Sequence, residues 1–271
     1  MRDSDSVFSG SVPQRYEQLM VPMLFGPYAE DLARRVAALH PSSVLETAAG
    51  TGVVTRELGL LLPVDVRLVA TDLNQGMLDV AEQLGVQHPV SWQQADALDL
   101  PFDDESFDVV VCQFGVMFFP DRARGFAEAL RVLRPGGWFL FNAWDSIEHS
   151  EFEYIVQQAM VELFPDDPPL FLERTPHGYH DVAVIRADLA FAGFLGEVRV
   201  ESLTKRTRAA DARAAAGALT EGSPLRAEIE QRSPDGLAAA TAAATEAIAA
   251  RFGDGPVEGQ MRAHVVAAQK N

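Results

Sequence analysis

"VLETAAGTGVVT", residues Val44 to Thr55, reads as a short apolar strand that ends in an acid and enters a loop of small residues before a helix resumes. Small side chains let a ligand approach the backbone, and the N-terminus of the following helix offers unpaired N–H groups. Glu46 sets the charge of what can bind. It would repel a pyrophosphate at the mouth of the loop and would balance a cation there.

Outward from this stretch, strand and helix alternate five times between residues 42 and 145. "VRLVATD" is a second strand and "NQGMLDVAEQLG" a helix closed by Gly85. "VSWQQAD" is a third strand. "FDVVVCQFG" is a fourth, a continuous apolar run of the kind buried on both faces. "DRARGFAEALRVLRPGG" predicts a helix from an Asp121 cap to a Pro135-Gly136 stop, and "WFLFNAW" a fifth strand. Such alternation predicts an α/β fold, a doubly wound, mostly parallel sheet with helices on both faces.

Upstream, residues 13–39 read mostly as helix, within an N-terminal helical cap over residues 1–40. Downstream, residues 146–256 form a lid or substrate region with a strand at 197–205. Alanine-rich helices fill 209–251, with starts at Ser223-Pro224 and Ser233-Pro234. Residues 257–271 predict a closing strand, able to pair antiparallel with 197–205 at the sheet edge.

In open parallel sheets, ligands sit at the carboxyl ends of the strands. A nicotinamide or flavin dinucleotide needs G-x-G-x-x-G, and here those positions are Ala48, Gly50 and Val53. S-adenosylmethionine, with a sulfonium and an ammonium, suits the acid and the small loop better. Its carboxylate could use backbone N–H groups of the loop, while Glu46 balances the positive charge. Asp72 ends the second strand and can accept from both ribose hydroxyls. Asp96 follows the third strand, where the adenine amino group would lie, with the Ala97 N–H donating to a ring nitrogen. Leu73 and Met77 would flank the ring, and Phe114 and Phe118 could face the cofactor from the fourth strand's end.

These motifs resemble the class I S-adenosylmethionine-dependent methyltransferases in their small-molecule branch, and are similar to the quinone-biosynthesis C-methyltransferases. "VLETAAGTG" looks like the first motif, "VATDLN" the second, "QADAL" the third and "FDVVVCQFGVMFFPD" the fourth. The resemblance implies a Rossmann-like, seven-stranded sheet whose last strand is antiparallel, with cofactor contacts spread over Glu46, Thr47, Ala48, Gly50, Thr51, Gly52 and Gln113. It also implies that an N-terminal aromatic, Tyr16, covers the cofactor. Ala48 departs from the usual glycine, which is tolerable if its φ is negative.

The acceptor is less legible. The lid is expected from the N-terminal helix, residues 145–180 and 209–251, with Phe152, Tyr154, Phe164 and Phe171 shaping an apolar pocket. Of six histidines, His177 and His180 in "TPHGYHD" are the candidate general bases, though that loop also reads as a surface turn. No third ligand accompanies them at metal-binding spacing, so no metal is expected.

With 39 acids against 22 bases, the net charge of −17 disfavours nucleic acid and anionic membrane surfaces as partners. The lone Cys112 permits no intrachain disulfide. No apolar run nears the roughly 18 residues that span a bilayer. The expectation is a cytoplasmic enzyme acting on a small-molecule methyl acceptor, with a homodimer left open. A non-catalytic binding protein of the same fold and a nicotinamide-dependent oxidoreductase are the alternatives.

Overall fold

A computed structural model describes residues 12–271; the first eleven residues of the expected cap lie outside it. Seven strands form one sheet: β1 (Ser43–Glu46), β2 (Arg67–Asp72), β3 (Val90–Gln94), β4 (Phe107–Gln113), β5 (Leu133–Trp144), β6 (Val198–Ala209) and β7 (Val257–Gln269). Their spatial order is β3-β2-β1-β4-β5-β7-β6. The first five pair in parallel, and β7 runs antiparallel to both β5 and β6. The closing strand therefore lies inside the sheet, and β6 is the edge.

Helices α3 (Val53–Leu61), α4 (Gln75–Leu84) and α5 (Arg122–Val132) connect the parallel strands. Asp121 caps α5 as expected, its side chain accepting from the Arg124 N–H. That helix ends before Pro135-Gly136, which instead lies inside β5. There the pairing with β4 skips from Phe107–Leu133 to Val109–Trp138, and the extra residues bulge out around Gly136 at φ 79°.

Strand alternation sends neighbouring side chains to opposite faces. Val44, Leu68, Val109, Val111 and Leu140 pack on one face against α2 (Gly26–Ala37) and α3. Leu45, Val69, Val110, Cys112, Phe139 and Phe141 join the larger core on the other. Cys112 is fully buried there, and burial pushes its thiol up to about 12.

Ahead of α2 the chain forms a short helix, α1 (Val12–Arg15), and a π-helical segment, Tyr16–Phe25, containing Pro22. The expected single N-terminal helix is thus widened by one residue per turn, as the Gly26 N–H reaching back to the Val21 carbonyl shows. The helical half comprises α6 (Glu151–Leu163), α7 (Phe171–Arg174), α8 (Val182–Phe191), α9 (Ala212–Glu221), α10 (Leu225–Arg232) and α11 (Leu237–Phe252). α11 packs on α9 and α6, and α9 also touches the π-helical segment. The alanine-rich lid is therefore a packed layer beside the N-terminal segment.

Candidate active site

The loop after β1 is pulled two ways. The Thr47 N–H donates to the Val111 carbonyl of β4, and the Ala49 N–H to the Thr71 carbonyl of β2. Ala48 must turn between them, and its φ is 53°. Negative φ, the condition expected to make alanine tolerable here, does not hold. A left-handed non-glycine residue costs about 1–2 kcal/mol. Phe114, after β4, has φ 52°. Gly115 follows it, and a Cβ there would stand 2.6 Å from the Ala48 Cβ. The loops after β1 and β4, each with a left-handed residue, thus meet where the sheet order reverses, the place such sheets keep for ligands.

Asp72 ties this loop to β2. One carboxylate oxygen accepts from the Gly50 N–H at 2.8 Å and the other from the Asn74 N–H at 2.8 Å. Burial raises its pKa, against the pull of those hydrogen bonds. Asp96 is exposed, and its carboxylate accepts from the Leu98 N–H at 2.9 Å. The N-terminal segment folds over the loop. A Cβ on Gly50 would stand 3.9 Å from the Tyr16 hydroxyl. Tyr16 stacks on Phe25 with centroids 5.1 Å apart, and burial raises its pKa, with Asp72 and Glu17 adding to the effect. Glu17 pairs with Arg56 at 2.8 Å and accepts from the Thr51 hydroxyl, which fastens the segment to the start of α3. Gln113 adds a further tie by donating to the Phe25 carbonyl at 3.0 Å.

Under this cover lies a cavity of about 430 Å³, within the range of small-molecule sites. Of the expected cofactor residues, Tyr16, Ala48, Gly50, Asp72, Leu73, Met77, Asp96, Ala97, Gln113, Phe114 and Phe118 line it. Met20 and Leu24, Phe171 and Leu172, and Leu219 extend it as an apolar chamber beneath all three expected lid segments. Among the aromatics expected to shape that chamber, only Phe171 does so. Phe152 is fully buried against Phe252, Phe164 packs on the core without reaching the cavity, and Tyr154 is exposed.

Glu46 does not line the cavity, and neither do Thr47, Thr51 and Gly52. Its strand position explains why. It shares a face with Val44, toward α3, where the Thr55 hydroxyl donates to its carboxylate at 2.5 Å. Burial pushes Glu46 up to about 8, against the Thr55 hydrogen bond and the Arg56 charge. The acid that opened the cofactor argument therefore holds the first loop to α3 from behind.

His177 is buried at the cavity wall, and His180 stands exposed outside it. The Nδ1 of His177 lies 2.7 Å from the Asp145 carbonyl. A carbonyl only accepts, so Nδ1 carries the proton and Nε2 keeps its lone pair. Burial holds His177 down at about 4, so the ring stays neutral. The Nδ1 of His180 instead donates to the His177 carbonyl at 2.7 Å and fixes the loop.

Sequence reasoning missed Glu153. It lines the cavity from α6, is 2% exposed, and its Oε2 has no hydrogen-bond partner. Burial pushes it up to about 7. A signal was present: Glu153 shares the helical spacing of the buried Val156, Gln157 and Met160 rather than that of the exposed face.

A methyltransferase domain family matches residues 45–141. The chain is 38% identical over 132 residues to the demethylmenaquinone methyltransferase of Deinococcus radiodurans, covering 47% of this chain and 54% of that one. It is 38% identical over 170 residues to the ubiquinone/menaquinone biosynthesis C-methyltransferase UbiE of Stutzerimonas stutzeri, covering 58% and 66%. The chain belongs to the class I S-adenosylmethionine-dependent methyltransferases.

The match to the first of these quinone-biosynthesis methyltransferases spans about half of its length. Among solved structures, the Haemonchus contortus phosphoethanolamine N-methyltransferase 2 aligns with a TM-score of 0.60 at 18% identity, over 99% of this chain and 60% of that one. It was solved with S-adenosylhomocysteine and phosphomonomethylethanolamine. The YcgJ protein of Bacillus subtilis aligns with a TM-score of 0.57 at 18% identity, over 90% and 99%. At such identities the likeness is one of fold. The residues present in this chain also fit the family's methyl donor. Asp72 and Asp96 line the cavity and, among the described residues, no lysine or arginine does, which suits a cationic centre and not a polyphosphate. Among the described residues, no group of three His, Cys, Asp or Glu could hold a metal, and no helix is long and apolar enough to cross a membrane.

Proposed function

We propose that this chain transfers a methyl group from S-adenosylmethionine to an apolar, aromatic or quinone-like small molecule in the cytoplasm. One observation carries the reading: a single cavity joins the strand-end acids Asp72 and Asp96 to an apolar chamber under the helical lid. Bound there, S-adenosylmethionine would supply a methyl group on a sulfonium, whose sulfur leaves as a neutral thioether.

The residues named above would divide the work. Asp72, whose oxygens each accept one backbone N–H, keeps further lone pairs for a ribose diol. Asp96 and the Ala97 N–H would receive the adenine edge between Leu73 and Met77. Tyr16 would close the cavity over the Gly50 loop. Displacement at a methyl group demands alignment and exclusion of water rather than activation of the leaving group. The chamber walls of Met20, Leu24, Phe171, Leu172 and Leu219 exclude water. The His177 Nε2 would accept a hydrogen bond from the acceptor.

The test combines calorimetric titration of S-adenosylmethionine with a screen of aromatic and quinol acceptors against a methyl-labelled donor. We expect micromolar binding and label transfer to at least one apolar acceptor. Absence of donor binding would overturn the reading, and donor binding without transfer to any acceptor would favour a binding protein of this fold.

A further inference from the structure

The Glu153 carboxyl is only half satisfied by the fold, through the backbone N–H of its own residue. It comes from the first turn of α6, is 2% exposed at the cavity wall, and leaves Oε2 without a partner. An unsatisfied buried polar atom costs about 1–3 kcal/mol, so a fold keeps one where something else satisfies it. Apolar side chains line the same chamber and would strip water from whatever enters.

We propose that Glu153 is a catalytic residue that receives the acidic hydroxyl of the methyl acceptor, and that the acceptor is a phenol or enol with an apolar body. This rests on the methyltransferase reading above. Three classes compete for that carboxylate. A carboxylic-acid acceptor would be repelled, since among the described residues no lysine or arginine lines the cavity. An ammonium would lose its hydration in the apolar chamber and meet the positive sulfonium. A neutral O–H avoids both penalties and gives Oε2 its missing donor.

In the step itself, the acceptor's O–H proton passes to Glu153, and the electron pair stays in the conjugated system. The oxygen, or a ring carbon conjugated with it, forms a bond to the methyl carbon while the carbon–sulfur bond breaks and its pair goes to sulfur. For a ring carbon, the proton displaced from it returns to the oxygen. One proton in all is released, through Glu153. His177 lines the same chamber, and its Nε2, which keeps a lone pair, would accept from a second oxygen of the acceptor.

The experiment compares three probes in the full chain with S-adenosylhomocysteine present: 2-naphthol, 2-methoxynaphthalene and 2-(aminomethyl)naphthalene. Wild type should bind naphthol at least tenfold more tightly than its methyl ether. Glu153→Leu should shrink that preference below threefold, and Glu153→Gln should lower it at least threefold. A preference that survives both substitutions, or tighter binding of the amine than of naphthol, overturns the proposal. Titration of S-adenosylmethionine in the same variants separates the two readings. Donor affinity within twofold of wild type shows an intact site, so an unchanged naphthol preference then counts against Glu153 alone. A wild-type chain that binds no donor fails the methyltransferase reading instead.

Discussion

The half of the chain from β1 to β5 and the helical half that follows it treat a buried carboxyl in opposite ways. In the first, Glu46 is 2% exposed and accepts from the Thr55 hydroxyl at 2.5 Å, away from the cavity. In the second, Glu153 is equally buried, faces the cavity, and leaves one oxygen unpaired. A buried acid whose hydrogen bonds close within the protein belongs to the architecture. One whose hydrogen bonds do not close is kept for a ligand.

The largest effect should come from the residue that bridges loop and cavity. Asp72→Ala frees the Gly50 and Asn74 N–H groups and removes the expected ribose contact. S-adenosylmethionine affinity should fall roughly a hundredfold, about 2.7 kcal/mol, by calorimetry. Unchanged affinity would mean that the carboxylate serves only the loop.

Glu46→Gln probes the architectural acid. Folded Glu46 keeps its proton up to about pH 8, and an ordinary glutamate only to 4.5. Between those values the folded state binds more protons, so stability falls as pH rises. The glutamine variant lacks that slope and should gain on the order of 2 kcal/mol over wild type between pH 4.5 and pH 8 in urea denaturation. Its donor affinity should stay within threefold of wild type; a larger drop would return Glu46 to the site.

Glu153→Gln carries the same sign in a narrower window, from 4.5 to about 7. Near pH 7 the variant should be more stable by about 1 kcal/mol, stability that wild type forgoes for the site. A loss of stability would show Glu153 to be structural and would break the contrast with Glu46. The smallest change belongs to Ala48→Gly. Relief of the left-handed φ slightly exceeds the extra chain entropy of glycine, a net gain of about 0.5 kcal/mol by thermal melting.

The parallel half was largely legible because each strand and helix there carries its own local signal. The run Val109 to Cys112 in β4 is apolar throughout because both of its faces are covered, and Asp121 caps α5 through a bond within the same turn. Asp72 and Asp96 were legible for the same reason: a strand's carboxyl end places its acid at the crevice whatever the neighbours do. The helical half gave weaker signals. The histidine pair in "TPHGYHD" reads alike for both members, yet only His177 is turned inward, held by a carbonyl 32 residues away.

By itself, then, the sequence determined the order of strands and helices and the crevice that holds the strand-end acids, since periodicity acts over a few residues. Only tertiary structure decided which acid faces the cavity. Strand alternation turned Glu46 toward α3, two distant backbone partners forced Ala48 left-handed, and the packing of α6 beneath the lid left Glu153 looking into the chamber. Those outcomes depend on what lies across the sheet or beneath a helix. A burial or a hydrogen bond between residues far apart in the chain has no local signature to read.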